Sequence, residues 1–174
     1  MSNAIPPGFI HRARDGVTAL VAEDGADAIA DALFNGKGCM PLPSTGRGHV
    51  FRFAVPDGTA ILRPYRRGGL ARYVVKDGYF FGNRAFQELR VHAYCFRAGV
   101  PVPQPLGACW GRQGFLQRGA FATRETPGIT LLQRLQEVPA DPAAVLAAAG
   151  AAIRRMHDVG VFHADLQLRN ILVA

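Results

Sequence analysis

The residues best suited to chemistry lie near the C-terminal end of the sequence, in the segment HADLQLRNIL. Asp165 and Asn170 are five positions apart, and His163 comes two positions before the aspartate. A carboxylate can accept the proton of a hydroxyl group, and carboxylate and amide oxygens are hard ligands of the kind that bind divalent cations. An apolar run begins at Ile171 and predicts a buried strand directly after this polar loop.

The spacing of this segment matches the pattern H-x-D-L-x-x-x-N, which is the catalytic loop of protein-kinase-like phosphotransferases. In those enzymes the aspartate orients the hydroxyl that receives the phosphate, and the asparagine holds a magnesium ion. The match gives these roles to Asp165 and Asn170, and it gives His163 a bracing role rather than a reactive one. A polar turn between a helix and a strand is the alternative that the segment alone leaves open.

A glycine-flanked arginine, formed by Gly46, Arg47 and Gly48, precedes a predicted β-hairpin. Alternating apolar residues predict a strand over 50–55, and a Pro-Asp-Gly turn separates it from a second strand that begins at Thr59. A glycine-rich turn that leads into a hairpin can present backbone N–H groups to nucleotide phosphates. The GRG tripeptide is therefore a candidate nucleotide loop, with an ordinary hairpin turn as the alternative.

Arg63 ends the second strand, where kinases carry a lysine that binds the nucleotide phosphates and pairs with a glutamate. Arginine can do this work because its guanidinium fork holds two oxygens at once. A helix is predicted over Arg84–Arg97, and Glu88 lies off the apolar face of that helix. We therefore expect Glu88 to pair with Arg63, although each residue alone could be an ordinary surface charge.

Basic residues cluster between this strand and this helix. The cluster, called the basic patch below, consists of Arg66, Arg67, Arg72 and Lys76, with tyrosines interleaved. The whole chain carries a net charge of +7 and a pI near 10.0. Together these features predict an anionic partner, such as a nucleotide, a phosphorylated sugar, a nucleic acid or an anionic lipid surface. A solvated loop on a generally arginine-rich surface is the alternative.

The remaining pattern predicts a sheet-rich N-lobe over 1–123. A strand is predicted at 17–22 and a helix at 26–34, before the glycine loop. The helix that carries Glu88 ends at a glycine, and a proline-rich connector follows it. Three short strands then complete the lobe, over 106–110, 114–118 and 121–123.

A hinge is predicted at 124–128, and the segment 129–174 reads as part of a helical C-lobe. Asp141 and the proline after it form a good N-terminal pair for a helix that runs to about His157. That helix delivers the chain to the HADLQLRNIL segment. The predicted fold class is α+β and protein-kinase-like, with an antiparallel N-lobe sheet, one N-lobe helix and an incomplete C-lobe.

Composition describes a globular protein with a reduced interior. Of the 174 residues, 49% are hydrophobic and 19% are charged, which is too apolar for a disordered chain. We find no apolar run of 18 residues and no hydrophobic segment at the N-terminus, so neither a transmembrane helix nor secretion is expected. Three cysteines without metal-like spacing favour a reduced, cytoplasmic setting.

Several longer segments resemble one family, the 3-deoxy-D-manno-octulosonic acid (Kdo) kinases of lipopolysaccharide core synthesis. The segments are GRG, ILRPYRRGGL, DGYFFGNRAFQELR, GVPVPQPLGA and HADLQLRNIL, and they appear in the order of the family. The resemblance implies transfer of phosphate from ATP, with Mg²⁺, to a Kdo hydroxyl on a lipid A precursor (Kdo-lipid A). It also implies peripheral binding to an anionic membrane, at the cytoplasmic face of the bacterial inner membrane, and no nucleic-acid partner.

By position, the resemblance makes Asp165 the catalytic base and Asn170 a magnesium ligand, with Arg63 and Glu88 as the phosphate-binding pair. Protein kinases often carry arginine and lysine around the aspartate, where this chain has Ala164 and Gln167. This difference argues against a protein substrate.

No second metal-binding aspartate follows Asn170, so the chain is expected to be truncated within the C-lobe and to be inactive or unstable alone. Two other functions stay open at this point. One is a soluble small-molecule kinase of the aminoglycoside or choline type. The other is an inactive fragment that only binds anionic lipid or nucleotide.

Overall fold

The computed structural model of the protein describes residues 4–43, 49–65, 84–113, 116–137 and 141–173. Its contacts divide the chain into two compact units, which are Met1–Ala93 with Gln104–Glu125, and Tyr94–Pro103 with Thr126–Ala174. The elements that build the first unit are β1 (Phe9–Arg14), β2 (Val17–Ala22), α1 (Ala26–Asn35), β3 (Met40–Leu42), β4 (Val50–Val55), β5 (Gly58–Pro64), the larger part of α2 (Arg84–Arg97), β6 (Pro105–Gln113) and β7 (Leu116–Arg124).

The seven strands of the first unit form one antiparallel sheet in the order β1-β2-β6-β7-β5-β4-β3. The mixed α+β fold with a large antiparallel sheet is the predicted class. Strands β5 and β7 are central neighbours, and Arg63 lies directly opposite Phe121 across them. The sheet therefore places Arg63, near the end of β5, beside the buried residues Ala120, Phe121 and Ala122 of β7.

Helices cover both faces of this sheet. On one face, Ile29 and Leu33 of α1 are almost completely buried in a cluster with side chains of β2, β4, β5, β6 and β7. On the other face, Ala85 and Leu89 of α2 pack with Phe121 in a second cluster. Full burial of one such side chain contributes about 1.5–3 kcal/mol, so each helix is held mainly by its apolar face. The helix α1 was predicted at 26–34, although the predicted fold class counted only one N-lobe helix.

The strands β6 and β7 are longer than the sequence predicts. The predicted short strands at 114–118 and 121–123 are instead parts of one strand, Leu116–Arg124, which continues through Gly119. Glycine is unfavourable within a strand, but β7 pairs with β5 on one side and β6 on the other, and these pairings keep the strand continuous. Gly119 lies opposite Trp110, and a β-carbon on it would come within 2.6 Å of the indole ring. The missing side chain therefore leaves room for the tryptophan.

The second unit contains β8 (Ile129–Thr130), α3 (Leu131–Gln136), α4 (Pro142–Asp158), a 3-10 turn at Leu168–Asn170 and β9 (Leu172–Val173). Thr130 begins α3 with a capping box: its hydroxyl accepts from the backbone N–H of Gln133, whose side chain bonds back to Thr130. Asp141 caps α4 by accepting from the N–H of Ala144 at 2.9 Å, as its sequence pattern predicts.

Two features of the second unit differ from the sequence predictions. Residues 94–103, which are the end of α2 and the connector after it, were assigned to the N-lobe but group with the second unit, where the Tyr94 hydroxyl donates to the Val159 carbonyl at 3.1 Å. The strand after the polar loop is not buried, because β9 pairs only with the two-residue β8, and Leu172 is 47% exposed. The hinge at 124–128 stays a prediction.

The helix α4 leaves most of its surface uncovered. Ala149 is the single buried residue of α4, all of which the structure describes, and the apolar side chain of Leu146 is about half exposed. None of the helices in the described ranges has both the length and the apolar character needed to cross a membrane.

Candidate phosphate-transfer site

The expected ion pair between strand and helix is present in the first unit. The Nη2 atom of Arg63 lies 2.7 Å from Oε1 of Glu88, and the arginine guanidinium stacks over the Phe121 ring at 5.9 Å from its centroid. The Arg63 side chain is 57% exposed and Glu88 is 32% exposed. An ion pair this open to solvent contributes little to stability, so its value lies in orienting the guanidinium. The phosphate-binding role of the pair stays a prediction.

A third residue, Tyr65, joins this pair; the sequence placed it only among the tyrosines interleaved with the basic patch. The hydroxyl of Tyr65 donates a hydrogen bond to Oε2 of Glu88, the carboxylate oxygen that Arg63 does not use. Burial raises the pKa of Tyr65 above its usual range, and the negative charge of Glu88 raises it further. The spacing could have revealed this contact, because Tyr65 follows Arg63 by two positions and so projects from the same face of an extended chain.

In the second unit, the polar loop closes on itself around Asp165. The backbone N–H of Asp165 donates to Nδ1 of His163 at 3.2 Å, and Nδ2 of Asn170 donates to the Asp165 carbonyl at 2.8 Å. These contacts give His163 the geometry of a brace. The side-chain amide of Gln167 donates to Oδ1 of Asp165, a contact that the sequence analysis also missed. Gln167 thus supplies a neutral donor where protein kinases often carry lysine.

The residues of this loop fit the magnesium ion that kinases use. The Asn170 amide nitrogen donates to the Asp165 carbonyl, and the amide oxygen is the atom of this side chain that would bind the ion. No cluster of three or more His, Cys, Asp or Glu residues lies within the part of the chain that the structure describes. Magnesium commonly takes only one or two protein ligands, with the remainder from phosphates and water, so the single side-chain oxygen of Asn170 is consistent with such a site.

A separate network joins the end of β7 to the β4–β5 hairpin. Glu125 accepts hydrogen bonds from Arg52 and, at 2.6 Å, from the Thr59 hydroxyl. The pKa of the Glu125 carboxyl is lowered, first by the hydrogen bond from Arg52 and then by that from Thr59. Arg124 makes further bonds, to the side chain of Gln104 at 2.9 Å and to the carbonyl of Asp57 at 2.7 Å. The residues at the end of β7, Arg124 and Glu125, are therefore fixed to the rest of the first unit by several side-chain hydrogen bonds.

Within the first unit the structure pairs Arg63 with Glu88, and within the second unit it bonds Asn170 to Asp165. The other predicted site residues lie outside the described residues. They are the nucleotide loop of Gly46, Arg47 and Gly48, and the basic patch of Arg66, Arg67, Arg72 and Lys76.

Comparison with known proteins shows the family to which the chain belongs. The model of the Lipopolysaccharide kinase (Kdo/WaaP) family matches residues 42–174. A protein of Xanthomonas axonopodis pv. citri named 3-deoxy-D-manno-octulosonic acid kinase is 35% identical over 141 residues, which cover 79% of this chain and 56% of the relative. No solved structure matches the chain.

Two Vibrio proteins of the same name are also similar. The one from Vibrio cholerae is 32% identical over 160 residues, which cover 89% of this chain and 68% of the relative. The one from Vibrio vulnificus (strain YJ016) is 38% identical over 135 residues, which cover 75% of this chain and 57% of the relative. The chain therefore spans somewhat more than half the length of the curated relatives it matches.

Proposed function

Since the chain belongs to the lipopolysaccharide kinase (Kdo/WaaP) family, we propose that it serves ATP-dependent transfer of phosphate to a hydroxyl of a Kdo sugar. The acceptor in this proposal is the Kdo of the lipopolysaccharide inner core, presented on Kdo-lipid A. The observation that carries the proposal is the family match across residues 42–174, a range that contains both the Arg63–Glu88 pair and the loop of Asp165.

In this mechanism the chain acts mainly by positioning and by charge. Arg63, held by Glu88, binds oxygens of the nucleotide phosphates through the guanidinium N–H groups that the glutamate does not occupy. The Asp165 carboxylate, held by Gln167, orients the sugar hydroxyl and accepts its proton. Asn170 would be a ligand of Mg²⁺, which supplies positive charge to the phosphate oxygens when it is bound.

The proposed location is the cytoplasmic face of the inner membrane, through peripheral contact with anionic lipid. The net charge of +7 supports this location, because a basic surface is attracted to an anionic leaflet. The lipid anchor of the proposed acceptor supports it as well, since the enzyme must then work at the membrane surface. A vesicle-binding assay tests it: binding should weaken as salt rises and should require anionic lipid.

The test of the proposed activity is phosphate transfer from radiolabelled ATP to Kdo-lipid A. It is measured for the purified chain and, because the chain is expected to be inactive alone, for the chain joined to the remaining segment of a relative. Asp165→Ala should lower turnover by about 10²–10⁴-fold, as expected for a lost general base. The matched control is Asp158→Ala, which removes an exposed carboxylate that pairs with Arg154 on the same helix. Turnover that is equal in wild type and Asp165→Ala would remove Asp165 from the mechanism.

Two other outcomes would contradict the proposal. Transfer to a soluble alcohol with none to Kdo-lipid A would indicate a small-molecule kinase. ATP binding without transfer to any acceptor would indicate a binding fragment. The same assay on the chain joined to the remaining segment of a relative then identifies the cause: transfer by the joined chain would show that activity needs the added segment, and no transfer would show that the fold has lost the activity.

A further inference from the structure

We propose that Tyr65 is a positioning residue of the candidate site, and that it holds the Glu88 carboxylate so that the Arg63 guanidinium faces the nucleotide phosphates. This inference rests on the proposed function, because it assigns Arg63 to phosphate binding. The geometry points to a three-residue unit, Arg63–Glu88–Tyr65, in place of the two-residue ion pair that the kinase pattern predicts.

The first reason is the way in which the carboxylate is used. Oε1 of Glu88 accepts from Nη2 of Arg63 at 2.7 Å, and Oε2 accepts from the Tyr65 hydroxyl. A single charge contact lets a carboxylate rotate about its last bond and still attract the arginine. A second bond to the other oxygen defines the carboxylate plane, and the carboxylate then defines the edge of the guanidinium that it engages.

The second reason is that Tyr65 is itself held in place. Its backbone N–H donates to the carbonyl of Gly119 at 2.8 Å, which continues the β5–β7 ladder beyond Pro64. Its ring packs against the apolar cluster under α2, together with Trp110. A phenol on a fixed backbone with a packed ring can direct its hydroxyl, whereas an exposed tyrosine could not.

The third reason is the space that Gly119 provides. A β-carbon at this position would lie 2.6 Å from Cε3 of Trp110 and 3.2 Å from Cδ2 of Tyr65. The absence of a side chain at Gly119 therefore lets both aromatic rings lie over the strand. Substitution of this glycine offers a way to move the tyrosine ring while its hydroxyl stays intact.

The phenol is also a constant donor. Burial and the neighbouring Glu88 charge raise the pKa of Tyr65 above its usual range, so the hydroxyl stays protonated at any pH at which the enzyme would work. A lysine or histidine donor in this place would add a charge that competes with Arg63 for Glu88. A neutral donor orients the carboxylate and leaves its full negative charge for the arginine.

The test compares binding of ATP and of adenosine to the chain by calorimetry and NMR titration. Tyr65→Phe keeps the ring and removes the hydroxyl, so it should weaken ATP binding about tenfold, the effect of one hydrogen bond to a charged group. Adenosine affinity should stay unchanged, because adenosine has no phosphates for Arg63 to hold. The matched control is Tyr94→Phe, which removes a hydroxyl that donates to the Val159 carbonyl and should leave both affinities unchanged.

A double-mutant cycle tests whether Tyr65 acts through Glu88. In the Glu88→Ala background, Tyr65→Phe should change ATP affinity less than twofold, because the carboxylate that it orients is gone. Gly119→Ala should weaken ATP binding with the hydroxyl still present, again without loss of adenosine affinity. Thermal unfolding of each variant checks that the sheet is intact.

The outcomes separate this inference from the proposed function. If wild type binds ATP no better than adenosine, the proposed phosphate site fails and the role of Tyr65 fails with it. If wild type prefers ATP and Tyr65→Phe keeps that preference, only the role of Tyr65 is overturned. Equal losses of ATP and adenosine affinity would likewise overturn it, because they would indicate a general structural effect.

Discussion

Glu125 and Thr59 are bonded to each other twice. The backbone N–H of Glu125 donates to the Thr59 carbonyl at 2.9 Å, and the Thr59 hydroxyl donates to Oε2 of Glu125 at 2.6 Å. Arg52 donates to the other carboxylate oxygen. The last residue of the first unit before Thr126 is therefore tied to the β4–β5 hairpin through both its main chain and its side chain.

Glu125→Gln should destabilise the first unit. The substitution removes the charge that Arg52 faces and weakens the bond from Thr59, while it keeps the size of the side chain. We expect the free energy of unfolding to fall by about 1 kcal/mol, measured by urea denaturation. The matched control is Glu137→Gln, which loses only an exposed pair with Arg134 and should change stability much less. Equal effects of the two substitutions would contradict a structural role for this network.

The same carboxylate predicts a pH dependence of stability. The pKa of Glu125 in the folded protein is below its ordinary value of 4.5, because Arg52 and Thr59 bond to the charged form. The stability that the Glu125 carboxylate contributes is therefore fully present above about pH 4.5 and is lost as the pH falls through the pKa of the folded state. The stability difference between wild type and Glu125→Gln, measured from pH 7 down to pH 3, should shrink at the acidic end. A difference that grows as the pH falls would have the wrong sign.

Gln167 should orient Asp165 in catalysis. Gln167→Leu removes the amide that donates to the Asp165 carboxylate, so phosphate transfer should slow about tenfold with little change in KM for ATP. The measurement is steady-state transfer to Kdo-lipid A by wild type and variant. Gln136→Leu, at an exposed position of α3, is the control and should keep the wild-type rate. A variant that alters only KM for ATP would argue against this role.

The capping box of α3 makes a prediction for the second unit. Thr130→Ala removes the hydroxyl that accepts from the N–H of Gln133 at 3.2 Å, so an N–H at the helix start loses its partner. The expected loss of unfolding free energy is about 1 kcal/mol, and circular dichroism during urea denaturation can follow it. Thr126→Ala, at an exposed threonine of the same unit, provides the comparison. If both variants unfold alike, the cap does not stabilise the helix.

The sequence predicted correctly the elements whose bounds depend on neighbouring residues in the chain. The bounds Arg84–Arg97 of α2 follow from apolar periodicity, and the start of α4 follows from the Asp141-Pro142 pair. The strand Leu116–Arg124 was divided wrongly, because glycine interrupts a strand pattern when its neighbour across the sheet is unknown. The exposure of Leu172 was missed for a similar reason: an apolar sequence predicts burial, but burial requires an element that covers it.

At the candidate site, the residue types and their spacing predict Arg63, Glu88, Asp165 and Asn170 as functional residues, because they match the kinase pattern, and their roles stay predictions. The sequence also predicted the pairing of Arg63 with Glu88, since a charge off the apolar face of a helix must face solvent or a partner. The tertiary structure alone decided that Tyr65 bonds the second oxygen of Glu88 and that Glu125 bonds Thr59. These contacts depend on which strands are neighbours in the sheet, and strand order arises from burial summed over the whole core rather than from any one segment.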